Sequence, residues 1–417
     1  MNTRLVITYI FISLFVLLSC KTKKPVVVSE TTPAVIQTES VAPDTGNNDG
    51  SKVVVKQIEK TNVGISLFMP FNFDVNLRED TNDLVNQVLT IGSVPWINFY
   101  EGAKMAADSF SNDKVQLKID VFDSAIDSGL IATMVNGKKI YNNKILISAA
   151  PAWCNASLSR QSELNHVSLV FPQSGNSILN DALYLTPTNA IMIDEMCKWI
   201  SYTHSNDKVT IVYRDNAREK DLSKSFSVKI DSLSQNKIKT NLINYTNSKI
   251  DGLIRALDKQ NNNLVIITSS DEAFVSPTVN KLCEQLNQYK ITLCGLPTWE
   301  NFETIDLDNL QKLNTHVFSA TWINNSNEDF SNFRKTFVER FYAEPAFSSY
   351  QGFYFVKGLI QSIDKNRFVE LKNIDVSNSY FDHDLFIFEK QENKGNGVMN
   401  KSVQILKHED YNLIKVN

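Results

Sequence analysis

The chain is poor in the patterns that mark catalysis or metal chemistry. Its five cysteines and five histidines form no CxxC and no HxxxH pair, which removes the usual zinc-ligand spacings. There is no GxSxG elbow, no P-loop and no GxGxxG fingerprint, so nucleophilic hydrolysis and nucleotide binding have no sequence support. The glycine-containing piece "KGNGVMN" at 394–400 lies between the apolar runs "DLFIFEK" and "VQILK" and reads as a hairpin turn. Neither charge sign dominates. With 42 Lys and Arg against 46 Asp and Glu, the net charge is −4, and the two signs are mixed along the chain. A nucleic-acid protein would concentrate basic residues on one face, so no nucleic-acid partner is expected. An apolar run long enough to span a bilayer is also lacking, since that needs roughly 20 residues and the run Leu5–Leu18 is shorter.

That short run nevertheless carries information. Arg4 precedes it, and Lys21, Lys23 and Lys24 follow it. A positive start, a short apolar middle and a small residue before a cleavage point describe a secretory signal peptide. The tetrad Leu17-Leu18-Ser19-Cys20 resembles the bacterial lipobox, which implies lipidation of Cys20 after cleavage of residues 1–19. An uncleaved short anchor is the alternative. Both place the remainder outside the cytoplasm, in the periplasm or cell envelope and held at a membrane. Residues 20–60, rich in Thr, Ser, Val, Pro, Asn and Asp, read as a flexible tether with an r.m.s. span of roughly 35 Å. Among the remaining cysteines, Cys283 and Cys294 lie on a helix and the strand it feeds. They could form a disulfide in an oxidising compartment, or remain buried thiols.

From residue 61 strands and helices alternate. "TNVGISLFMPF" is a continuous apolar strand, and "NFYEGAKMAADSF" places Phe99, Met105, Ala106 and Phe110 at helical spacing. "VQLKIDVFDS", "KILISAAPA", "HVSLVFPQSGN", "KVTIVYRDN", "NLVIITSSDEAF" and "ITLCGLP" read as further strands. "AIMIDEMCKWI", "DGLIRALDKQ" and "SPTVNKLCEQLNQY" read as helices. Ser276 and Pro277 suit the N-cap and first position of the last of these. The order implies an α/β fold with parallel sheets, and 417 residues with this many strands imply two of them. Ligands of such sheets bind beyond the carboxyl ends of the strands. That singles out the loops "SAAPAWCNASLSRQ", "PQSGNS", "YRDNARE" and "SSDEAF".

The succession "VGISLFMPF", "FYEGAKMAADSF", "QLKIDVFDS", "ILISAAPA" and "VSLVFPQS", followed by "LYLTPTNAIMIDEMCKWI" and "KVTIVYRDN", resembles the type I periplasmic binding proteins. These are the leucine and branched-chain amino-acid receptors of ABC importers. "FSNFRKTFVERFYAEPAFSSYQGFYFVKGLIQSI" resembles that family's return to the first lobe. "MPF…FYEGAKMAADSF" and "GLPTWENFETIDLDNLQKLN" resemble a branch of envelope proteins often joined to LysM repeats, though no LysM segment is present here. The resemblance implies two Rossmann-like lobes joined by a hinge. Lobe 1 would comprise 61–187 plus 316–366, and lobe 2 188–315 plus 367–417. It further implies a non-enzymatic, cofactor-free receptor closing on a small polar solute, an amino acid or peptide-like, with an ABC permease or cell-wall machinery as partner.

Residue by residue, the resemblance points to Ser148 (with Ala149 and Ala150), Gln173 and Ser174 (with Gly175) as carboxylate- and amine-holding positions. Trp153 would be a pocket wall, and Tyr213 and Asp271 second-lobe contacts, Asp271 meeting a ligand ammonium. Each also has a plainer reading as turn chemistry, edge cover or a solvated loop acid. The glycine-containing turn that the family places after the "KVTIVY" strand is replaced by Arg214, Asp215, Asn216 and Arg218. This departure suits either a larger or more polar ligand or a ligand-free scaffold or regulator on the same fold, whereas the retained Tyr213, Ser174 and Asp271 favour the receptor, which is the expectation.

Overall fold

The computed structural model describes residues 61–76, 89–111, 115–175, 179–366, 380–390 and 397–416. Cys20, the signal segment and the tether lie outside them.

In the first lobe β1 (Thr61–Met69), β2 (Val115–Asp123), β3 (Ile145–Ser148), β4 (Ser168–Phe171) and β5 (Ala182–Tyr184) run parallel. Between them lie α1 (Phe73–Asn76), α2 (Val94–Phe110), α3 (Ser128–Asn136) and α4 (Asn155–Leu164). The chain then enters the second lobe through α5 (Asn189–Thr203). There β6 (Lys208–Tyr213), β7 (Asn241–Asn244), β8 (Asn263–Ile267), β9 (Ile291–Cys294) and β10 (His316–Ser319) repeat the arrangement. Their crossovers carry α6 (Ala217–Leu233), α7 (Tyr245–Ala256), α8 (Glu272–Cys283) and α9 (Leu307–Lys312). Two long helices, α10 (Glu328–Phe341) and α11 (Phe347–Asn366), return to the first lobe. Four short strands finish the chain: β11 (Phe388–Lys390), β12 (Val398–Asn400), β13 (Gln404–Glu409) and β14 (Asn412–Lys415).

The two sheets have matching orders, β2-β1-β3-β4-β5-β12-β11 and β7-β6-β8-β9-β10-β13-β14. In each, the strand order reverses between the first and third strands of the lobe. An open α/β sheet forms its ligand crevice at such a reversal. It lies between β1 and β3 in one lobe and between β6 and β8 in the other. The central strands are apolar throughout because helices cover both faces. Ile65, Leu67, Ile147 and Val170 pack under α2, α10 and α11, while Leu146, Leu169 and Phe171 pack under α3 and α4.

Several sequence expectations need correction. β10 was expected in the first lobe, but it hydrogen-bonds to β9 and β13 in the second sheet. All four of its residues are buried, as in a central strand covered on both faces. Conversely, β11 and β12 were expected in the second lobe but extend the first sheet through β5. The turn expected within "KGNGVMN" falls largely outside the described residues; β11 and β12 on either side of it pair antiparallel, while "VQILK" crosses to the other sheet. Asn400 makes this possible. Its buried amide donates to Leu185 O and Leu385 O and accepts from Ile387 N and Ser402 N, tying the last crossing to the first. Helix α8 begins at Glu272 with Asp271 as its N-cap, so Ser276 and Pro277 lie inside it rather than at its start. Cys154, Cys197, Cys283 and Cys294 are all free thiols.

The tightest helix contact in the first lobe is between α2 and α11. A Cβ on Gly102 would meet Ser349 O at 2.0 Å, and one on Gly352 would meet Phe99 O at 2.2 Å. Because backbone atoms cannot swing aside, Gly352→Ala is expected to cost roughly 1–3 kcal/mol. A urea midpoint unchanged from wild type would show that the two helices part easily.

Candidate functional site

At the carboxyl ends of the first lobe's strands, β1 turns on Asp123. This carboxylate accepts backbone N–H groups from Phe71, Asn72, Phe73 and Ala125, fixing the loop after β1 from the end of β2. Ser148 ends β3 fully buried, and its Oγ accepts from Ala150 N at 3.3 Å, inside its own turn. Gln173 follows β4 with its Oε1 buried and without a hydrogen-bond partner, and Ser174 beyond it is exposed. Ser148 and Gln173 lie past the ends of neighbouring strands. Trp153, in a single 3-10 turn at Ala152–Cys154, is 58% exposed.

The second lobe holds a denser arrangement at its strand-order reversal. Tyr213 ends β6 half-buried, and Arg214 follows it. The Arg214 guanidinium donates to Glu219 Oε1 from Nε (3.0 Å) and Nη2 (2.5 Å), to Asp271 Oδ2 from Nη1 (2.6 Å) and to Ser269 Oγ (3.3 Å). Ser269 Oγ donates in turn to Glu219 Oε1 at 2.8 Å, and Arg214 N donates to Glu219 Oε2 at 2.8 Å. The guanidinium also stands 5.1 Å from the centroid of Phe274, which packs edge-on against Tyr245. Trp299, buried on the turn after β9, donates its indole N–H to Ser269 O. These residues bridge the ends of β6 and β8, where the family resemblance places a ligand's ammonium.

The local sequence explains the cluster. Asn216 is the N-cap of α6 and accepts from Glu219 N, as the first residue of an N-x-x-E capping box does. In the usual box the glutamate would reach back to the N-cap's own N–H. Here it reaches two residues further, to Arg214. Its side chain is 7% exposed, so burial opposes its ionisation, but the Arg214 and Ser269 hydrogen bonds outweigh burial and hold its carboxyl below the usual range. The Arg214 side-chain bond likewise holds Asp271 low. Glu219 reciprocally raises Arg214, with Asp271 adding to it. Asp271, expected to meet a ligand ammonium, is paired here with the Arg214 guanidinium. Glu219, Ser269 and Trp299 were not singled out from sequence, although the capping box was there to be read.

A cavity of about 340 Å³ opens beside Arg214, Arg218, Ser270 and Asp271. A groove of about 420 Å³ runs between α5 and α6, and a third cavity of about 300 Å³ lies at the amino ends of β3 and β4. None of the three is lined by strand ends of both lobes. Among the described residues, no group of three or more His, Cys, Asp or Glu is placed to hold a metal, and no helix is long and apolar enough to cross a membrane. Burial pushes the Cys154 thiol up to about 11 and the Cys197 thiol up to about 12, so both stay protonated at neutral pH.

No family model and no curated protein sequence matches the chain. Solved structures do resemble it in fold. A candidate branched-chain amino acid ABC transporter protein from Rhodospirillum rubrum superposes with TM-score 0.59 at 10% identity, covering 85% of this chain and 100% of that one. An ABC transporter substrate-binding protein from Desulfitobacterium hafniense gives 0.52 at 9% identity, over 85% and 100%. The C-domain of LpoA from Haemophilus influenzae, described as a regulator of PBP1A, gives 0.54 at 11% identity, over 85% and 100%. At these identities the likeness concerns the fold alone: the chain has the type I periplasmic-binding-protein fold, shared by ABC transporter substrate-binding proteins and by a regulator of PBP1A.

Proposed function

We propose that this chain is a lipid-anchored, non-enzymatic envelope module that has given up amino-acid capture between its lobes and acts through a protein partner in peptidoglycan synthesis. The observation that carries this reading is the Arg214 guanidinium lying across Glu219 and Asp271. A receptor of this fold closes because a solute bridges both lobes and shifts an open–closed equilibrium. Here the second lobe's carboxylate is already bridged, so a zwitterion would have to displace a guanidinium held by charge-assisted bonds to two acids. The LpoA C-domain, a regulator rather than a transporter by its description, is a precedent for the same fold in such a role.

The receptor reading keeps one specific support, the buried and unpartnered Gln173 Oε1 at the end of β4, which a ligand N–H could satisfy. Small-angle scattering on the full chain separates the two. With L-leucine, L-glutamate or glycylglycine at millimolar concentration, the radius of gyration is expected to stay constant. Added to a purified peptidoglycan synthase of the same envelope, the chain is expected to change the rate of glycan polymerisation. Contraction with any one solute, together with an unaffected synthase, would overturn the proposal in favour of a transport receptor.

A further inference from the structure

The cavity at the amino ends of β3 and β4 lies at the opposite end of the first sheet from the crevice. We propose that it is a second binding site, for a small zwitterion no larger than a dipeptide. Its floor is Ser162, which is 2% exposed and whose Oγ has no hydrogen-bond partner. A buried hydroxyl left unpaired costs stability, so its place in the wall of a cavity calls for a ligand acceptor or donor. Around it, at the exposed rim, stand groups of both signs, Lys144 on one hand and Glu163 and Asp181 on the other, together with the imidazole of His166. Lys144, Glu163 and His166 form no ion pair among the described residues. A cation and an anion that share a cavity without pairing suit a molecule carrying both charges. A carboxylate fits Lys144 and the serine hydroxyl, and an ammonium fits Glu163. The volume, about 300 Å³, is at the small end for ligand pockets.

The way α4 ends gives a second argument. Val167 N donates to Ser162 O at 2.8 Å and His166 N to Glu163 O at 3.2 Å, the paired bonds of a Schellman turn. The Ser162 and Glu163 carbonyls are therefore already satisfied, and recognition is assigned to side chains. The residue after the C-cap in such a turn adopts the left-handed conformation and is usually glycine. Here it is His166, at φ 54°, which places an imidazole on the rim of the cavity at a conformational cost. Asp181, at φ 55°, occupies the same region of backbone space on the other rim.

Cost and site can be separated by experiment. Glycylglycine is titrated calorimetrically into the full chain in detergent, with acetate and ethylamine as single-charge controls. Glycylglycine is expected to bind and the controls to bind at least about tenfold more weakly, the loss of one charge-assisted bond. Ser162→Ala is expected to weaken binding about tenfold while leaving the thermal midpoint unchanged or higher, because an unpaired hydroxyl has been removed. His166→Gly is expected to weaken binding and to raise the midpoint, a combination that a purely structural role for His166 would not give. The scattering profile stays constant throughout, which keeps this site distinct from lobe closure. Absence of glycylglycine binding, equal binding of acetate, or binding indifferent to both substitutions would each overturn the assignment.

Discussion

Replacing Arg214 with methionine is expected to destabilise the full chain by roughly 3–5 kcal/mol, the usual consequence of stripping one partner from a buried ion pair. Methionine keeps the stem that packs beside Phe274 but removes every donor. Glu219, 7% exposed, would then be a buried carboxylate left with Ser269 and the backbone N–H of residue 214. Asp271 contributes less, because its side chain is 42% exposed and water can replace the guanidinium. Arg214→Lys would recover only part of the loss, since an ammonium cannot reach both acids with a planar fork. Removing the stranded charge as well, in Arg214→Met/Glu219→Leu, should restore most of the stability. The pH dependence has a definite sign. The Glu219 carboxyl is held below its unfolded value, so its contribution is present above the usual glutamate range and disappears as pH falls through the folded pKa. Wild type and Arg214→Met should therefore converge in acid. Urea midpoints at pH 7 and pH 3 measure this, and a loss under 1 kcal/mol at pH 7 would mean the cluster is a solvated surface network.

The same cluster shows what the sequence can and cannot convey. The departure at "RDNARE" is visible in one line of residues, because charged side chains replace a glycine turn. That it pairs with Asp271, 57 residues away, depends on β6 and β8 being neighbours, a consequence of strand order that no local pattern carries. The central strands were legible because they are apolar on both faces, a property of parallel sheets. The four short strands at the end were not, because runs of three to six residues hold too little periodicity to choose a sheet. Their assignment rests on Asn400, whose amide bonds reach Leu185 and Leu385 and thereby keep β12 in the first sheet. The N-cap expected at Ser276 fails for a similar reason. Asp271, placed by the end of β8 and held by Arg214, starts α8 earlier, and Pro277 is carried within the helix. Ser148 sits at a strand end as expected, but its hydroxyl is used within its own turn, and hydrogen-bond direction is not written in residue type.

The second large effect is expected from histidines that the sequence presented as scattered. His316 opens β10 at 6% exposure, against Trp199 at 4.7 Å, and its Nδ1 is buried without a partner. His204, also buried, packs on the same indole at 4.8 Å and holds Asp207 with its Nδ1 at 2.7 Å. Burial, followed by repulsion from His204, lowers the pKa of His316 to about 4, and burial alone lowers that of His408 to about 4. Both rings are therefore neutral in the folded state at pH 5, whereas in the unfolded chain, with an ordinary value of about 6.5, they are charged. The folded value lies below the unfolded one, so the stability they contribute is complete above pH 6.5 and is lost as pH falls from there towards 4. Between pH 7 and pH 5 each costs about 2 kcal/mol, the His408 share being smaller in practice because that ring is only partly buried. Glu101, Glu300 and Asp382, whose pKa values burial raises, act in the opposite direction over the same range. The histidine contribution is therefore read as a difference. Relative to the His316→Asn/His408→Asn double variant, wild type should lose more than about 2 and less than about 4 kcal/mol between pH 7 and pH 5 by urea denaturation. Parallel pH profiles for the two proteins would mean that water reaches both rings, and that the packing of β10 and β13 around Trp199 is looser than these contacts require.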